Sequence, residues 1–292
     1  MSNKTKAILV ILFGSIFGGA ASPVIKIAIQ EIPPFSFSFI RFFIASVFLL
    51  PMFIKQKPKF DSDFRKLILL SLLPTINIGL FAIGVKLTTA SIAQMLYAGV
   101  PIIVGLIGYF LFGYRMKIQR WIYISLGLFG VLLVTILPLI QKNVPFTGDL
   151  KGNLLIILGV MCWSLYAVLS KQYQKKYNPL VITSLFFFTA TIVFFFLSFF
   201  EFSLAYPWWL ALDTGSLVSI LYVSLFATVG VYMLNQYSYK YANPVIGSFS
   251  LYLLPVFAYF SAYILLGEKL TAGLFIGTVI VFISIALTTY AK

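Results

Sequence analysis

The sequence predicts an all-α polytopic membrane protein, with ten transmembrane helices arranged as two inverted five-helix repeats. Three observations predict it. The chain is 61% hydrophobic and only 10% charged, with a mean hydropathy of +1.03, whereas a soluble chain carries about 25% charge. Apolar runs of about 20 residues recur, the length needed to cross a hydrocarbon layer. A β-barrel would show alternating segments of about 10 residues instead, and the sequence has none. The third observation is that the chain resembles itself at a fixed offset.

The runs lie near 7–27, 35–54, 66–86, 90–112, 119–140, 152–171, 180–200, 216–238, 244–266 and 271–290. Polar stretches punctuate them: "EIPP", "KQKPKFDSDFRK", "GYRMKIQR", "QKNVPFTGDLKG", "KQYQKKYNP" and "EKLT". The segment 201–215 is the least regular, and its Trp208 and Trp209 suit a membrane interface better than a span. Lys4 and Lys6, an apolar run and "GGAAS" have the order of a signal peptide. The first span has a counterpart in the second half, which argues that it is retained.

Charge sets the expected orientation. With the N-terminus in the cytoplasm, inside segments hold Lys4, Lys6, Lys55, Lys57, Lys59, Arg65, Lys66, Arg115, Lys117, Arg120, Lys171, Lys175, Lys176, Lys240 and Lys292. Outside segments hold Lys26, Lys86, Lys142, Lys151 and Lys269, and Arg41 is the remaining cation. Basic residues favour the cytoplasmic side, so both termini are expected there. The same rule accounts for the net charge of +14 without nucleic acid as a partner.

Shifting the chain by 145 residues places Gly14 on Gly159, Lys26 on Lys171, Pro34 on Pro179 and Ala45 on Ala190. Beyond the seventh span the shift becomes 154, and Lys86 falls on Lys240, Pro101 on Pro255 and Gly113 on Gly267. The loop 201–215 absorbs the difference. The repeats are therefore expected at 1–142 and 143–292. Each holds five spans, and an odd number forces the halves into opposite orientations. Inverted repeats let one site open alternately to either side of a membrane.

These residues resemble the EamA-type transporters of the drug/metabolite transporter (DMT) superfamily. The likeness lies in Gly14, Lys26 twelve residues later, Pro33/Pro34 and then Arg41. The fourth span of each repeat adds a central Pro and a Gly-led close, in "GSFSLYLLPVFAYFSAYILLGEKL" and "IAQMLYAGVPIIVGLIGYFLFGYRM", where Tyr114 replaces the usual Glu. The resemblance covers nearly the whole chain. It implies ten spans, cytoplasmic termini, a prokaryotic plasma membrane, a central cavity and movement of small metabolites or drugs, with export favoured.

Arg41 lies about seven residues into span 2, roughly 10 Å along a helix. A cation at that depth faces a cavity or partner, or its long stem carries the charge back to the interface. Its repeat mate is Phe186, so one half alone supplies the charge, which fits a directional contact to a ligand. Lys26 and Lys171 are mates at span ends. They read either as anchors that cap helix C-termini or as the two mouths of the pathway. Pro23 is expected to break span 1 near its outer end.

Neutral polar groups fall at mid-depth: Asn77 in span 3, Gln94 and Tyr97 in span 4, and Tyr232, Asn235 and Gln236 in span 8. Gln94 with Tyr97, and Tyr232 with Asn235 and Gln236, share helix faces. Such stripes bind helices together or line a cavity for an amphipathic solute. For Ser248, Ser250 and Trp163 helix packing is the favoured reading. Pro101 and Pro255 occupy matching mid-span sites, as static kinks or as paired hinges of a rocking motion.

Absent residue types exclude several classes. The chain has no His, and its single Cys162 lacks a partner for a disulfide. No catalytic set, metal site or cofactor is expected, and a membrane enzyme is disfavoured because it needs a nucleophile, an acid–base pair or a metal. The P-loop pattern GxxxxGK[ST] does not occur. No Asp or Glu falls at mid-span, so the deep site is positive. The reading is a secondary transporter of an amino acid or related organic solute, working by alternating access. A nucleotide-sugar, phosphate-ester or lipid-carrier translocator of the same architecture is the alternative. The expected partners are the small-molecule substrate and the lipid bilayer.

Overall fold

The computed structural model describes residues 3–28, 32–87, 93, 96–113, 115–141, 149–202, 208, 212–266 and 272–290. Five of its helices are long and apolar enough to cross a membrane, and five further apolar helices are shorter. The expected all-α membrane fold is therefore present, without strands among the described residues. In chain order the helices are α1 (Asn3–Ala28), α2 (Pro34–Lys55), α3 (Ser62–Leu70 continuing as Leu72–Leu87), α4 (Val100–Phe112) and α5 (Ile118–Gln141). The second half has α6 (Leu150–Tyr173), α7 (Pro179–Ser198), α8 (Thr214–Tyr222 continuing to Tyr241), α9 (Pro244–Gly247 and Ser250–Leu266) and α10 (Ala272–Tyr290). The repeat boundary expected at 142/143 falls outside the described residues.

Local chemistry explains where helices begin. The side chains of Asp61, Asp149, Asn178, Asp213 and Asn243 each accept a hydrogen bond from a first-turn backbone N–H, satisfying donors that a helix start leaves open. Pro34 and Pro179 stand in the first turn of α2 and α7, where a missing N–H costs nothing. Contrary to the sequence reading, α1 runs through Pro23 to Ala28.

The packing has the symmetry of the repeat. α2 lies against α7 and α5 against α10, each pair relating a helix to its own mate. α1 packs on α8 and on α9, and in the other half α6 packs on α3 and on α4. Close approaches repeat as well. A Cβ built on Gly14 would stand 3.4 Å from Leu234 Cβ, and one on Gly159 would stand 3.6 Å from Leu80 Cβ. Leu80 and Leu234 are themselves mates at the 154-residue shift. Irregularities match too: α3 breaks at Ser71, and the corresponding depth of α8 is the π-helical stretch Val223–Gly230. There Thr228 donates to the Val223 carbonyl five residues back, at 2.9 Å.

The α2–α7 pair is tied at both ends by mates. Glu201, just past α7, accepts from the backbone N–H of Phe35 (3.1 Å) and of Ser36 (2.8 Å), closing the start of α2. Its mate Gln56, just past α2, accepts from Asn178, the cap of α7. Around this pair lies an aromatic core of Phe42, Phe186, Phe187 and Phe194, all buried. Large apolar side chains such as Phe43, Phe110, Phe196 and Ile264 stand exposed on the outside of the bundle, as membrane spans require.

Loops 56–61, 174–178 and 240–242 meet at one end of the bundle. Lys176 pairs with Asp61 and Asp63, Tyr177 donates to the Lys59 carbonyl, and Lys171 donates to the Lys240 carbonyl. This is called the basic end below.

Candidate functional site

A cavity of about 250 Å³ opens where the two halves meet. Five of the seven substrate-binding candidates line it: Arg41 from α2, Asn77 from α3, Tyr97 from the segment before α4, and Tyr232 and Asn235 from α8. Phe81 and Trp163 complete much of the aromatic wall.

Each polar group is held by its helix and its neighbours. The Asn77 amide donates to Tyr97 Oη at 2.5 Å, and Tyr97 stands edge-on to Phe81 with centroids 5.4 Å apart. Asn235 accepts from Ser250 Oγ at 3.0 Å, which ties α8 to α9. Tyr232 is fixed by Trp163 (5.6 Å between ring centroids) and Phe186 (5.1 Å). Trp163 thus has a place in the cavity wall that the sequence reading did not give it.

The Arg41 guanidinium carbon lies 4.7 Å from the Phe42 ring centroid and 6.0 Å from that of Phe37. Its Nε is buried with no hydrogen-bond partner among the described residues, and no described carboxylate pairs with it. Ring faces attract a cation but leave its N–H donors unused. The mate Phe186 is buried and packs on Phe42 and Tyr232.

The lining comes in mates of opposite polarity. At the 154-residue shift Asn77 corresponds to Val231, Ile78 to Tyr232, Phe81 to Asn235 and Tyr97 to Leu251, and all eight line the cavity. The backbone is therefore symmetric about the site while its chemistry is not. Applying the shift to Asn235 would have pointed to Phe81 from sequence alone.

The remaining candidates lie elsewhere. Gln236 is buried against α6, where it accepts from the Gln174 amide at 2.9 Å and donates to Ser170 Oγ at 3.3 Å. Sharing a face with Tyr232 did not bring it to the cavity: Asn235 turns inward and Gln236 turns toward α6. Lys171 donates to the carbonyls of Tyr239, Lys240 (3.1 Å) and Ala242 (3.4 Å), so it closes the C-terminal end of α8 rather than its own helix. Pro101 occupies the second position of α4, after the turn at Ala98–Gly99, and so ends a break instead of kinking a continuous helix. Pro255 stands inside the second piece of α9. Gln94 and the side chain of Lys26 lie outside the described residues.

The sequence matches the model of the EamA-like transporter family over residues 5–136 and 150–290, one match for each half. The chain belongs to the EamA-like transporter family. This places the protein among the transporters of the drug/metabolite superfamily. It is 24% identical over 98% of its length to "Uncharacterized transporter YoaV" of Bacillus subtilis, of which it covers 97%. It is 28% identical to "Uncharacterized transporter YetK" of the same organism over 94% of this chain and 84% of that one. An "Uncharacterized transporter" of Archaeoglobus fulgidus is 27% identical over 91% of both chains. A protein known from a crystal structure superposes with a TM-score of 0.80 over 98% of each chain at 14% identity, a likeness of fold alone.

Proposed function

We propose that this EamA-like protein is a secondary transporter of a small carboxylate-bearing solute, an amino acid or related organic acid. It moves the solute by alternating access across the plasma membrane, with both termini cytoplasmic and export as the working direction. The observation that carries the reading is Arg41, a cation in the cavity wall with Nε unpartnered among the described residues. A half-buried guanidinium with its Nε buried and no carboxylate paired to it among the described residues favours an anionic visitor. The amides of Asn77 and Asn235 supply further donors and acceptors, and the aromatic wall accepts the solute's apolar part. The symmetric packing around the cavity supports alternation between two equivalent arrangements for access. The ties among Gln56, Asn178, Lys176, Asp61, Lys171 and the end of α8 would close the basic end in one of them.

The test is transport into proteoliposomes, preceded by a thermal-shift screen of amino acids, organic acids, nucleosides and cationic dyes. A ligand that binds only the folded protein raises its unfolding temperature. Arg41→Ala should lower transport of the carboxylate hit by about 10- to 100-fold, the loss of a charge-assisted hydrogen bond. Wild-type rates in that variant, or a cationic dye as the only hit, would overturn the reading.

A further inference from the structure

A second concavity, of about 510 Å³, lies at the basic end between α4, α5, α6 and the start of α9. Arg115, Arg120 and Lys171 line it, and none of its described lining residues is acidic. Lys171 spends its donors on carbonyls of the α8 end, so it contributes charge to the wall rather than a free hand. Arg115 stands exposed at the mouth.

Arg115 and Met116 belong at the same time to a neighbouring groove lined by Leu106, Tyr109, Phe110 and Trp121. Phe110 is 77% and Tyr109 48% exposed on the flank of α4, and on a membrane span that exposure is to lipid tails. The cationic cup therefore opens, through two shared residues, onto an apolar flank. Cations gather at this end in any case, and Lys57 and Lys117 do so without lining either concavity. Arg115 differs because it joins a charged recess to a lipid-facing one. A water-soluble anion would use the cup alone, whereas a lipid would fill both parts.

We propose that the cup and groove bind an acidic phospholipid of the cytoplasmic leaflet. Its phosphate lies against Arg115, whose planar guanidinium group matches phosphate oxygens, Arg120 and Lys171 add positive charge to the wall, and one acyl chain lies along Phe110 and Trp121. The choice of leaflet rests on the orientation adopted above. Basic recesses between transmembrane helices are sites where such head groups are held. The lipid would sit against Pro244 and Val245, at the start of α9.

The test uses the full chain purified in an uncharged detergent. Native mass spectrometry and thermal unfolding are followed with phosphatidylglycerol, with phosphatidylcholine of the same acyl chains, and with inorganic phosphate. Phosphatidylglycerol should remain bound and raise the unfolding temperature, and the other two should do neither. Arg115→Gln should weaken phosphatidylglycerol binding about fivefold, Trp121→Ala should also weaken it, and Lys117→Gln should leave it unchanged. In the unaltered chain, rising salt should weaken phosphatidylglycerol binding, a readout independent of any variant's folding. Equal binding of phosphatidylcholine, insensitivity to Arg115→Gln or to salt, or binding untouched by Trp121→Ala would overturn the proposal. Stabilisation by inorganic phosphate alone would mean a soluble-anion site and would overturn it as well. Binding is read without transport, so this result stands apart from that of Arg41→Ala.

Discussion

Ser46 Oγ and Thr191 Oγ1 lie 2.9 Å apart, and the two residues are repeat mates separated by 145 positions. Two equivalent positions touch only where the axis relating them passes between them. The axis therefore runs through the α2–α7 contact, where the buried mates Ala45 and Ala190 also lie. Thr191 already donates to the Phe187 carbonyl at 2.8 Å, so its single hydroxyl proton is committed and Ser46 is the donor between them.

This assignment predicts an asymmetry. Ser46→Ala removes the donor and should cost about 0.6 kcal/mol, the mean for hydrogen bonds between membrane helices. Thr191→Ser retains both bonds and should cost less. Unfolding of both variants in the same detergent decides it, and equal losses would mean that the bond between Ser46 and Thr191 adds nothing measurable to the α2–α7 contact.

Close helix approach predicts a second contrast. A Cβ on Gly19 would stand 2.4 Å from Phe257 Cβ and 2.8 Å from the Phe257 carbonyl carbon. Backbone cannot swing aside, so Gly19→Ala should force α1 from α9 at about 1–3 kcal/mol. At Gly14 the nearest atom is 3.4 Å away, and the alanine gains helix propensity of about 1 kcal/mol. Gly14→Ala should therefore leave the unfolding temperature nearly unchanged or raise it.

Within the cavity, Tyr97 Oη is the acceptor for the Asn77 amide. Tyr97→Phe removes it and leaves the ring packed on Phe81. The freed amide is available to solute or water, so substrate affinity should change by about fivefold, the size of one hydrogen bond. Stability should change little. Unaltered affinity together with a large stability loss would show that this pair supports the fold instead.

The basic end carries a pH signature outside the membrane. Hydrogen bonds from Lys176 and Tyr177 hold the Asp61 carboxyl well below the usual aspartate range. Asp61 and Asp63 hold the Lys176 ammonium above the usual lysine range. Burial and Asp61 push the Tyr177 phenol up to about 12. For Asp61 the stabilisation is present above an unfolded value of about 3.9 and is lost as pH falls through the folded value. For Lys176 and Tyr177 it is present below unfolded values of about 10 and is lost as pH rises through the folded ones. Unfolding temperature should thus be flat between about pH 5 and pH 9 and fall on both sides. Lys176→Gln should flatten the alkaline arm, and high salt should weaken the effect at these exposed side chains.

Much of the architecture is legible in the sequence. The 145 and 154 shifts foretold that Gly14 and Gly159 would occupy equivalent positions, because repeated folds repeat their close contacts. Arg41, Asn77, Tyr97, Tyr232 and Asn235 were legible as cavity candidates because polar groups at mid-span are costly unless they face one another or water. Gln236 was not separable from Asn235 by the same reasoning. Adjacent residues on a helix point about 100° apart, and only the position of α6 decides which of them meets a neighbour. Lys171 read as a cap for its own helix, yet it caps α8, since a long flexible side chain takes whichever carbonyls the tertiary fold brings within reach.

Hydropathy and repetition by themselves determined that this chain is a ten-span membrane protein of two related halves. Every backbone polar group in a bilayer must be satisfied within its own helix, which leaves sequence little freedom to hide its spans. The tertiary structure alone decided how polar and apolar mates divide one cavity, with Asn77 facing the site from one half and Tyr232 from the other. It also decided that the chain breaks at Ala98–Gly99, just before α4, and that Arg41 lies in the cavity wall with Phe42 beneath it. Those outcomes depend on which helix faces meet, and side-chain packing across the pseudo-twofold axis fixes that without leaving a local pattern in the sequence.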